Sequence, residues 1–237
     1  MTRMMGVLLA MVLSGVVAGC GLPRDSGTTL RDVRGGVLRV GVTENPPWTE
    51  VPGDGPPAGA EAVLVQRLAT RMGATVQWYP GSESELMAAV KDRVLDLVIG
   101  GLDAAAPWTD DAALTRPFVT MRTVVAAPAG VPVPDDLAGV TVAVEAGTAE
   151  VAAVAAEDAT VVPVREVTGD EGMPVVVGEW RLAELNLIES GHELGSHDHV
   201  WALPPGENGW QAEVERFLLA QTHTGVEELL VAAERAS

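Results

Sequence analysis

The first half of the chain alternates between two spacings of apolar residues. Short apolar runs, GVLRVGV, ATVQWYP and RVLDLVIGG, have the length and composition of strands. Between them, residues 58–73 and 82–92 carry apolar side chains every three to four positions, as amphipathic helices do. The first of these segments ends at Gly73, and the second opens with Ser82 three residues before Glu85, which is a capping box. Strands that alternate with helices predict a mostly parallel sheet.

The same alternation resumes after the proline-rich passage APAGVPVPDDLAG. VTVAVEAG and ATVVPVREV are predicted strands on either side of a helix, TAEVAAVAAED, and MPVVVGEWRLAELNL is predicted as a strand that runs into a helix. HVWALPPGENG has the pattern of a strand that leaves this region, and GHELGSHDH is expected to be a polar loop. Two amphipathic helices are predicted at the end of the chain, with inner faces formed by Val214, Phe217 and Leu218 and by Val226, Leu229 and Leu230.

Composition and charge narrow the possible function classes. The 237 residues are 47% hydrophobic, enough to bury a core in one large domain or two small ones. Acidic residues outnumber basic ones by 33 to 15, which gives a net charge of −18. A charge of this sign argues against nucleic acid and anionic membrane surfaces as partners, and it favours high solubility.

The N-terminal residues have the pattern of an export signal. MTRMMGVLLAMVLSGVVAGC has a basic start at Arg3, an apolar stretch too short to span a membrane, and small residues before Cys20. Cys20 is the only cysteine, and the VVAG before it resembles the bacterial lipobox, in which the cysteine is lipidated and becomes the mature N-terminus. An ordinary signal with a chance cysteine is the alternative. We expect a leader at 1–19, lipidation at Cys20 and a polar tether at 20–35; loss of Arg3 takes the net charge from −18 to −19.

Candidate ligand-binding residues follow the predicted strands. In an open parallel sheet the ligand site lies beyond the carboxyl ends of the strands. The segments at those positions are TENPPW and GGLDAAAPW in the first half and EAGTAE and GEWR in the second, which suggests a cleft between two lobes. Carboxylates there can pair with a cation, and tryptophan rings can hold one on their faces. The candidates are Glu44, Trp48, Gly101, Leu102, Asp103, Trp108, Gly147, Thr148 and Glu179.

Each candidate also has a purely structural interpretation. Gly100 and Gly101 then form a tight turn, Thr148 is a helix N-cap, Glu179 is a solvated charge at a helix start, and the tryptophans belong to the core. Against this, Gly147 and Thr148 stand at a predicted helix start, where free N–H groups favour an anion. The joint placement of the candidates after strands favours a binding site.

The order of these segments resembles the family 3 extracellular solute-binding proteins of bacterial ABC importers, which have the type II periplasmic-binding fold. LRVGVTENPPW is similar to that family's opening strand and Pro-Pro-aromatic loop, GAEAVLVQRLATRMG to its G-[aromatic]-[acid] helix, and DLVIGGLDA to the strand and threonine-bearing turn that follow. LTRPFV resembles the element before the crossover, LAGVTVAVEAGTAE the start of the second lobe, and VVVGE the strand that ends in a ligand-binding acid. ALPPGENGWQAEVERFL is similar to the return strand and terminal helices, so the likeness covers about residues 36–220.

The resemblance implies roles for individual residues. Thr148 and Glu179 stand where the family binds the anionic group and the ammonium group of an amino acid. Amino-acid-binding members have a hydroxyl residue and a carboxylate-clamping arginine where this chain has Asp103 and, approximately, Trp108, and Ala60 replaces the family's aromatic residue. A pocket that lacks the arginine and gains a carboxylate suits a cationic or polar solute better than an ordinary amino acid. The arginines that remain open as replacement clamps are Arg116, Arg122 and Arg181.

Three other functions remain open. The first is an enzyme, since the same fold hosts a dehydratase; however, the sequence has no G-x-S-x-G, no phosphate loop with Lys and no H-E-x-x-H. The second is metal binding by His192, His197 and His199 with Asp198, although histidines in a polar loop are more often solvated. The third is a ligand sensor that signals to a membrane partner, which would use the same residues as a transport protein.

We therefore predict an α/β protein with the two-lobed type II periplasmic-binding fold, mostly parallel sheets and a two-strand hinge. Lobe 1 is expected at residues 36–124 plus 204–237 and lobe 2 at 125–203, with RTVVAAP and HVWALPP as the hinge. A solute that bridges the loop after the third strand with Thr148 and Glu179 would stabilise the closed state. The expected protein is a lipid-anchored monomer on the extracytoplasmic face of the cell membrane. It is expected to be a binding protein without a cofactor, not an enzyme, that delivers a small polar, cationic or amino-acid-like solute to an ABC permease.

Overall fold

The computed structural model of the chain describes residues 27–108 and 111–237. The predicted leader, Cys20 and the first part of the predicted tether lie outside the described residues. Within the described ranges, no helix is long and apolar enough to cross a membrane.

The described residues form two five-stranded sheets with helices packed on them. The strands are β1 (Val37–Val42), β2 (Thr75–Pro80), β3 (Leu97–Ile99), β4 (Ala113–Leu114), β5 (Val119–Pro128), β6 (Thr141–Glu145), β7 (Thr160–Val164), β8 (Val175–Gly178), β9 (Leu187–His199) and β10 (Ala202–Leu203). The helices are α1 (Thr29–Val33), α2 (Ala60–Met72), α3 (Glu83–Lys91), α4 (Glu150–Ala156), α5 (Asn208–Leu218) and α6 (His223–Glu234), and a single 3-10 turn covers Glu179–Arg181.

The sheet of lobe 1 has the order β2-β1-β3-β10-β4. β1 pairs in parallel with β2 and β3, and β10 returns antiparallel between β3 and β4. Leu38, Val40 and Val42 of β1 are fully buried because helices α2, α5 and α6 cover the sheet. The predicted inner faces of the terminal helices are confirmed: Val214, Phe217, Leu218, Val226 and Leu230 are buried in this core, and Leu229 packs against it.

The capping box predicted at the start of the second helix is confirmed. The backbone N–H of Ser82 donates to Oε2 of Glu85 at 3.2 Å, and both halves of the reciprocal pair are present. The first helix ends as predicted at Gly73, which adopts the left-handed conformation with φ of 65° that glycine tolerates best.

The folded part of lobe 1 begins before the predicted boundary at residue 36. Thr29–Val33 form helix α1, and Val33 is only 1% exposed within the lobe 1 core. Leu30, three residues earlier on the same helix face, packs against the same core. Residues 27–35 therefore belong to the lobe, so the predicted tether is too long at its C-terminal end.

The sheet of lobe 2 has the order β7-β6-β8-β5-β9. β6 lies parallel to β7 and β8, whereas β5 runs antiparallel to β8 and β9. In each sheet four strands run in one direction and one strand, β10 or β5, runs opposite to them, which confirms the predicted two-lobed α/β architecture. The parallel strands of both sheets end toward loops that sequence patterning marked as binding segments.

The chain after β8 differs from the prediction in two ways. The predicted helix is only the 3-10 turn at Glu179–Arg181, and the predicted polar loop GHELGSHDH lies within the long strand β9. β9 is an edge strand with polar side chains on both faces, so it lacks the apolar alternation by which a strand is recognised. Its conformation is determined instead by backbone pairing with β5. The pairs run from Val119 opposite His199 to Pro128 opposite Leu187.

The two chain segments that connect the lobes cross near residues 115–119 and 199–201. Thr115 and Trp201 tie them together: the N–H of Thr115 donates to Trp201 O at 2.9 Å, and the N–H of Trp201 donates to Thr115 Oγ1 at 2.9 Å. β5 pairs with β9 from Val119 onward. The first crossing therefore lies a few residues before the predicted RTVVAAP, whereas the second falls within the predicted HVWALPP.

Candidate functional site

A polar cavity of about 300 Å³ lies between the two lobes. It sits at the carboxyl ends of β6 and β8, where a ligand site is expected in a parallel sheet. Lobe 1 contributes Pro46 and Pro47 from the loop after β1 and Glu234 from α6. The residues of lobe 2 that line it are Thr123, Val144, Glu145, Thr148, Glu150, Val176, Val177, Gly178, Trp180 and Arg181.

The lining of this cavity carries more negative than positive charge. Glu145 at the end of β6 and Glu150 at the start of α4 line it from lobe 2, and Glu234 lines it from the opposite lobe. Arg181 is the one guanidinium in the described lining. An uneven distribution of this kind attracts a cationic group and repels an anion.

Two larger hollows lie beside α6, away from the ends of β6. An apolar groove of about 630 Å³ runs between α2 and α6, and a second hollow of about 700 Å³ lies between α6 and the turn after β8. Neither combines the first-lobe loop after β1 with the strand ends of lobe 2. We therefore assign the candidate site to the smaller cavity, on geometry and not on size.

The glycine turn after β3 donates hydrogen bonds to the buried carboxylate of Glu61. Oε2 of Glu61 accepts the N–H of Gly100 at 2.8 Å and that of Gly101 at 2.9 Å, and Oε1 accepts the indole N–H of Trp201 at 3.0 Å. Glu61 is fully buried. Burial raises its pKa to about 7, although the three N–H donors act in the opposite direction. Glu61 joins helix α2, the turn and the second lobe crossing at one point.

Gly101 is a structural requirement of this turn. Its φ is 64°, and a Cβ there would lie 2.5 Å from Nδ2 of Asn45 and 2.9 Å from Cγ of Trp48. Asn45 Nδ2 also donates to Gly100 O at 2.8 Å. The turn therefore packs directly against the loop after β1.

Trp48 is a core residue and not a wall of the cavity. Its ring is 8% exposed and stacks on the ring of His199, with centroids 3.8 Å apart and planes at 29°. Burial, followed by the charge of His197, lowers the pKa of His199 to about 4, so this imidazole is neutral at ordinary pH. The prediction that Trp48 offers its face to a cation is not supported by this packing.

Asp103 pairs with His197 of β9 in lobe 2, and Trp108 pairs with Glu83 of α3 in lobe 1. Oδ2 of Asp103 lies 2.7 Å from Nδ1 of His197, and its Oδ1 accepts the N–H of Ala105 at 2.7 Å. Burial acts to raise the pKa of Asp103, but these two contacts outweigh it and lower the pKa. The indole N–H of Trp108 donates to Glu83 of α3. Neither residue lines the cavity, so the predicted bridging role of this loop has no counterpart in the described contacts.

Two further first-lobe candidates, Glu44 and Leu102, accept hydrogen bonds from backbone N–H groups. Oε2 of Glu44 accepts the N–H of Val51 at 2.6 Å, and the side chain is exposed. Leu102 is 4% exposed, and its carbonyl accepts the N–H of Val200 at 3.0 Å. Both residues shape the first-lobe loops without lining the cavity.

In lobe 2 the predicted segment EAGTAE does reach the cavity. Thr148 lines it, and its Oγ1 donates to the carbonyl of Glu145 at 2.8 Å. Gly147 has a φ of 87°, which lets the chain turn from β6 into α4. Because Glu145 and Glu150 lie on either side of Thr148, the local charge disfavours the anion-binding role that the resemblance implies.

Glu179 is paired with an arginine of its own chain. Arg122 donates from its backbone N–H to Oε1 of Glu179 at 2.9 Å and from Nε to Oε2 at 2.7 Å, while its Nη1 donates to Glu189 at 2.6 Å. Hydrogen bonds to Glu189 and then Glu179 raise the pKa of Arg122. His223 of α6 approaches Glu179 at 3.6 Å. The carboxylate is only 8% exposed, so its predicted role toward an ammonium group would require it to leave Arg122.

Replacing Arg122 with methionine is expected to lower the free energy of unfolding by about 2–4 kcal/mol, because it leaves the nearly buried Glu179 carboxylate without its main partner. Arg116→Met is the matched control. Arg116 is 68% exposed and pairs with Glu215 on the surface of lobe 1, so its loss should cost less than about 1 kcal/mol. Denaturant unfolding of both variants checks this, and equal losses would contradict it.

The three arginines considered as clamps for a solute carboxylate lie in different parts of the fold. Arg116 pairs with Glu215 of α5, and Arg122 pairs with Glu179. Arg181 alone among the three lines the cavity. Its side chain is 12% exposed.

The histidines of GHELGSHDH do not converge. Nε2 of His192 lies 2.8 Å from Pro134 O, His197 pairs with Asp103, and His199 is stacked on Trp48. Among residues 27–108 and 111–237, no group of three or more His, Cys, Asp or Glu side chains is placed to hold a metal ion. These histidines therefore give no structural support to metal binding.

Sequence reasoning missed most of the charged lining. Glu145 and Glu150 stand within EAGTAE, so a rule that takes the whole segment would have included them, whereas Arg181, within GEWR, is one of the arginines that the sequence leaves open as a replacement clamp. Pro46 and Pro47 likewise stand within TENPPW. Glu234 gave no signal, because it lies on a terminal amphipathic helix far from any predicted strand end.

Comparison with known proteins agrees with this architecture. The fold is similar to an L-cystine solute receptor of Neisseria gonorrhoeae in an unliganded open conformation, with a TM-score of 0.64, 16% identity, and coverage of 81% of this chain and 90% of that one. It is also similar to an ancestral cationic amino acid solute-binding protein, with a TM-score of 0.66, 18% identity, and coverage of 88% and 99%. A third similar structure is a putative binding component of an ABC transporter from Wolinella succinogenes complexed with lysine, with a TM-score of 0.54, 18% identity, and coverage of 82% and 93%.

The sequence comparison identifies the family. No curated protein matches the sequence. Residues 38–230, most of the chain, match the family described as bacterial extracellular solute-binding proteins, family 3. This chain therefore belongs to the bacterial extracellular solute-binding proteins, family 3.

Proposed function

We propose that this protein captures a small polar solute with a cationic group in the cavity between its lobes. The observation that carries the proposal is the lining, in which three carboxylates face one guanidinium at the carboxyl ends of β6 and β8. A volume of about 300 Å³ suits a molecule the size of an amino acid or a small amine. Two of the similar structures, one named for cationic amino acids and one complexed with lysine, are in line with this choice.

Capture would use the division of the cavity between the lobes. Pro46 and Pro47 belong to lobe 1, whereas Glu145, Thr148 and Gly178 belong to lobe 2. A solute that contacts both sides binds the closed arrangement more tightly than the open one, so it shifts the population toward closure. The crossings near residues 115–119 and 199–201 would absorb the rotation.

A thermal-shift screen tests the solute class. Lysine, arginine, spermidine and glycine betaine are expected to raise the unfolding temperature, because a solute at about a hundred times its Kd stabilises the native state by ~2.7 kcal/mol. Glutamine, glutamate and zinc chloride are expected to have smaller effects. A larger shift with glutamate or glutamine than with any cation would contradict the cationic class, while leaving solute binding intact.

The lipid anchor is a separate proposal. A lipidated Cys20 would hold the protein on the extracytoplasmic face of the cell membrane. The evidence is the position of the only cysteine directly after VVAG at the end of an apolar leader. Cys20→Ser is expected to release the protein from membranes into the soluble fraction, since lipidation supplies the anchor. A Ser variant that stayed membrane-bound at unchanged size would contradict the anchor.

Delivery to an ABC permease is the proposed purpose of capture, and a sensor of the same fold is the alternative. Solute uptake by cells that lack this chain distinguishes the two, because a transport protein is needed for uptake and a sensor is not. A dehydratase-like enzyme is the third possibility. Turnover of a bound compound, followed by mass spectrometry, would establish that activity.

A further inference from the structure

An ion pair between the two lobes forms one wall of the cavity. Nε of Arg181, in the turn after β8, lies 3.1 Å from Oε1 of Glu234, near the end of α6. α6 belongs to lobe 1, because its residues Val226 and Leu230 are buried in that lobe's core. Both members of the pair line the cavity, so a solute there meets them at the junction of the lobes.

The surroundings of Glu234 disfavour its charged form. Burial raises its pKa, and the charge of Arg181 only partly offsets the rise because Glu184 and Glu166 act in the same direction as burial. Its side chain is 33% exposed, so it remains accessible from the cavity. A carboxylate among other carboxylates, with one guanidinium beside it, gains from an additional positive charge.

Arg181 is able to release Glu234 without losing all of its contacts. Its Nη2 donates to Val167 O at 3.0 Å, and its guanidinium carbon lies 5.9 Å from the ring centroid of Trp180. Nε is buried and has no aligned hydrogen-bond acceptor, so its contact with Glu234 is an ion pair without the directional bond. Such a contact is easier to exchange than a bidentate hydrogen-bonded pair.

We infer that Glu234 is the lobe 1 residue that binds the cationic group of the solute, and that the solute takes the place of Arg181 there. The inference rests on the proposed function, since it concerns the same cavity and the same solute class. Residues from both lobes then hold the solute, with Glu145 and Thr148 on one side and Glu234 on the other. Specificity for a cation arises from competition: only a solute able to replace a guanidinium at Glu234 completes the contact.

The test is calorimetric titration of the full chain with arginine and with spermidine. Glu234→Gln is expected to weaken binding by about tenfold or more, because the cation loses its carboxylate. Arg181→Gln is expected to tighten binding several-fold, since it removes the competitor and leaves Glu234 unpaired. Glu215→Gln is the control: it breaks the Arg116 pair within lobe 1 and should leave both affinities unchanged.

The opposite signs of the two effects separate this role from a merely structural one. Unchanged affinity in Glu234→Gln, or weakening in Arg181→Gln, would overturn the inference while leaving the proposed function in place. An equal loss in Glu215→Gln would also overturn it, because the effect would then reflect overall charge. If wild-type protein bound neither of these cations nor lysine nor glycine betaine, the proposed function and the inference would both fail. Should Glu234→Gln not fold, the sign of the Arg181→Gln effect decides alone.

Discussion

Replacing Glu61 with alanine is expected to lower the free energy of unfolding by about 3–5 kcal/mol, because three N–H donors would lose their buried acceptor. Those donors belong to Gly100, Gly101 and Trp201, which lie in the glycine turn and the second lobe crossing. The loss should therefore also loosen the contact between the first-lobe loops and the hinge. Denaturant unfolding, together with hydrogen exchange at Gly100 and Gly101, measures both effects.

Glu157→Ala is the control for this substitution. Glu157 is exposed at the end of α4, so its loss should change the free energy of unfolding by less than about 0.5 kcal/mol. If Glu61→Ala were no more destabilising than Glu157→Ala, the carboxylate would not be the support of the turn.

The second large effect concerns the pH dependence of stability, to which Glu61 and His199 make opposite contributions that cancel in the wild-type protein. Burial raises the pKa of Glu61 to about 7 from 4.5, and burial lowers the pKa of His199 to about 4 from 6.5. Between these values the folded protein holds a proton on Glu61 that the unfolded chain releases, so this group's stabilisation is lost as pH rises from about 4.5 to 7. The unfolded chain binds a proton at His199 that the folded protein excludes, so this group's stabilisation is lost as pH falls from about 6.5 to 4.

Single substitutions should reveal each half of this balance. In Glu61→Gln only His199 still makes its contribution to the pH dependence of stability. The free energy of unfolding is therefore expected to fall by roughly 3 kcal/mol more than in wild type as pH drops from 6.5 to 4. His199→Phe keeps a ring against Trp48, and in this variant only Glu61 still makes its contribution to the pH dependence of stability. Stability should then fall by a similar amount, relative to wild type, as pH rises from 4.5 to 7. Subtracting the wild-type free energy of unfolding at each pH removes the contributions of the other carboxylates. Variant curves that run parallel to the wild-type curve would contradict the opposed titrations.

Most of the fold could be predicted from the sequence because its strands and helices carry strong periodic signals. β1, with Leu38, Val40 and Val42 buried, and α5, with Val214 and Leu218 buried, form as their patterns indicate. The failure at β9 has a physical cause. An edge strand whose side chains are mostly polar on both faces has no apolar period, and its pairing with β5 makes it a strand.

The candidate site was less predictable, because charged side chains find partners that are distant in sequence. Position after a strand marked Thr148, which lines the cavity, but it also marked Asp103 and Glu179, which do not. His197 and Arg122 pair with those two carboxylates, and both partners lie on β9 or β5. Glu234 reaches the cavity only through the docking of α6 between the lobes. No local pattern encodes such tertiary pairings.

The measurement that tests the central claim most directly is calorimetric titration of the wild-type protein with pairs of solutes that match in shape and differ in charge. Arginine and citrulline form one pair, and lysine and norleucine form another. If the cavity selects a cation, the charged member of at least one pair should bind one-to-one and at least about tenfold more tightly, since charge complementarity contributes at least ~1.4 kcal/mol. The preference should shrink as salt is raised, because the cavity is partly open to solvent. Equal affinity for both members of each pair, or tighter binding of citrulline and norleucine, would contradict the account.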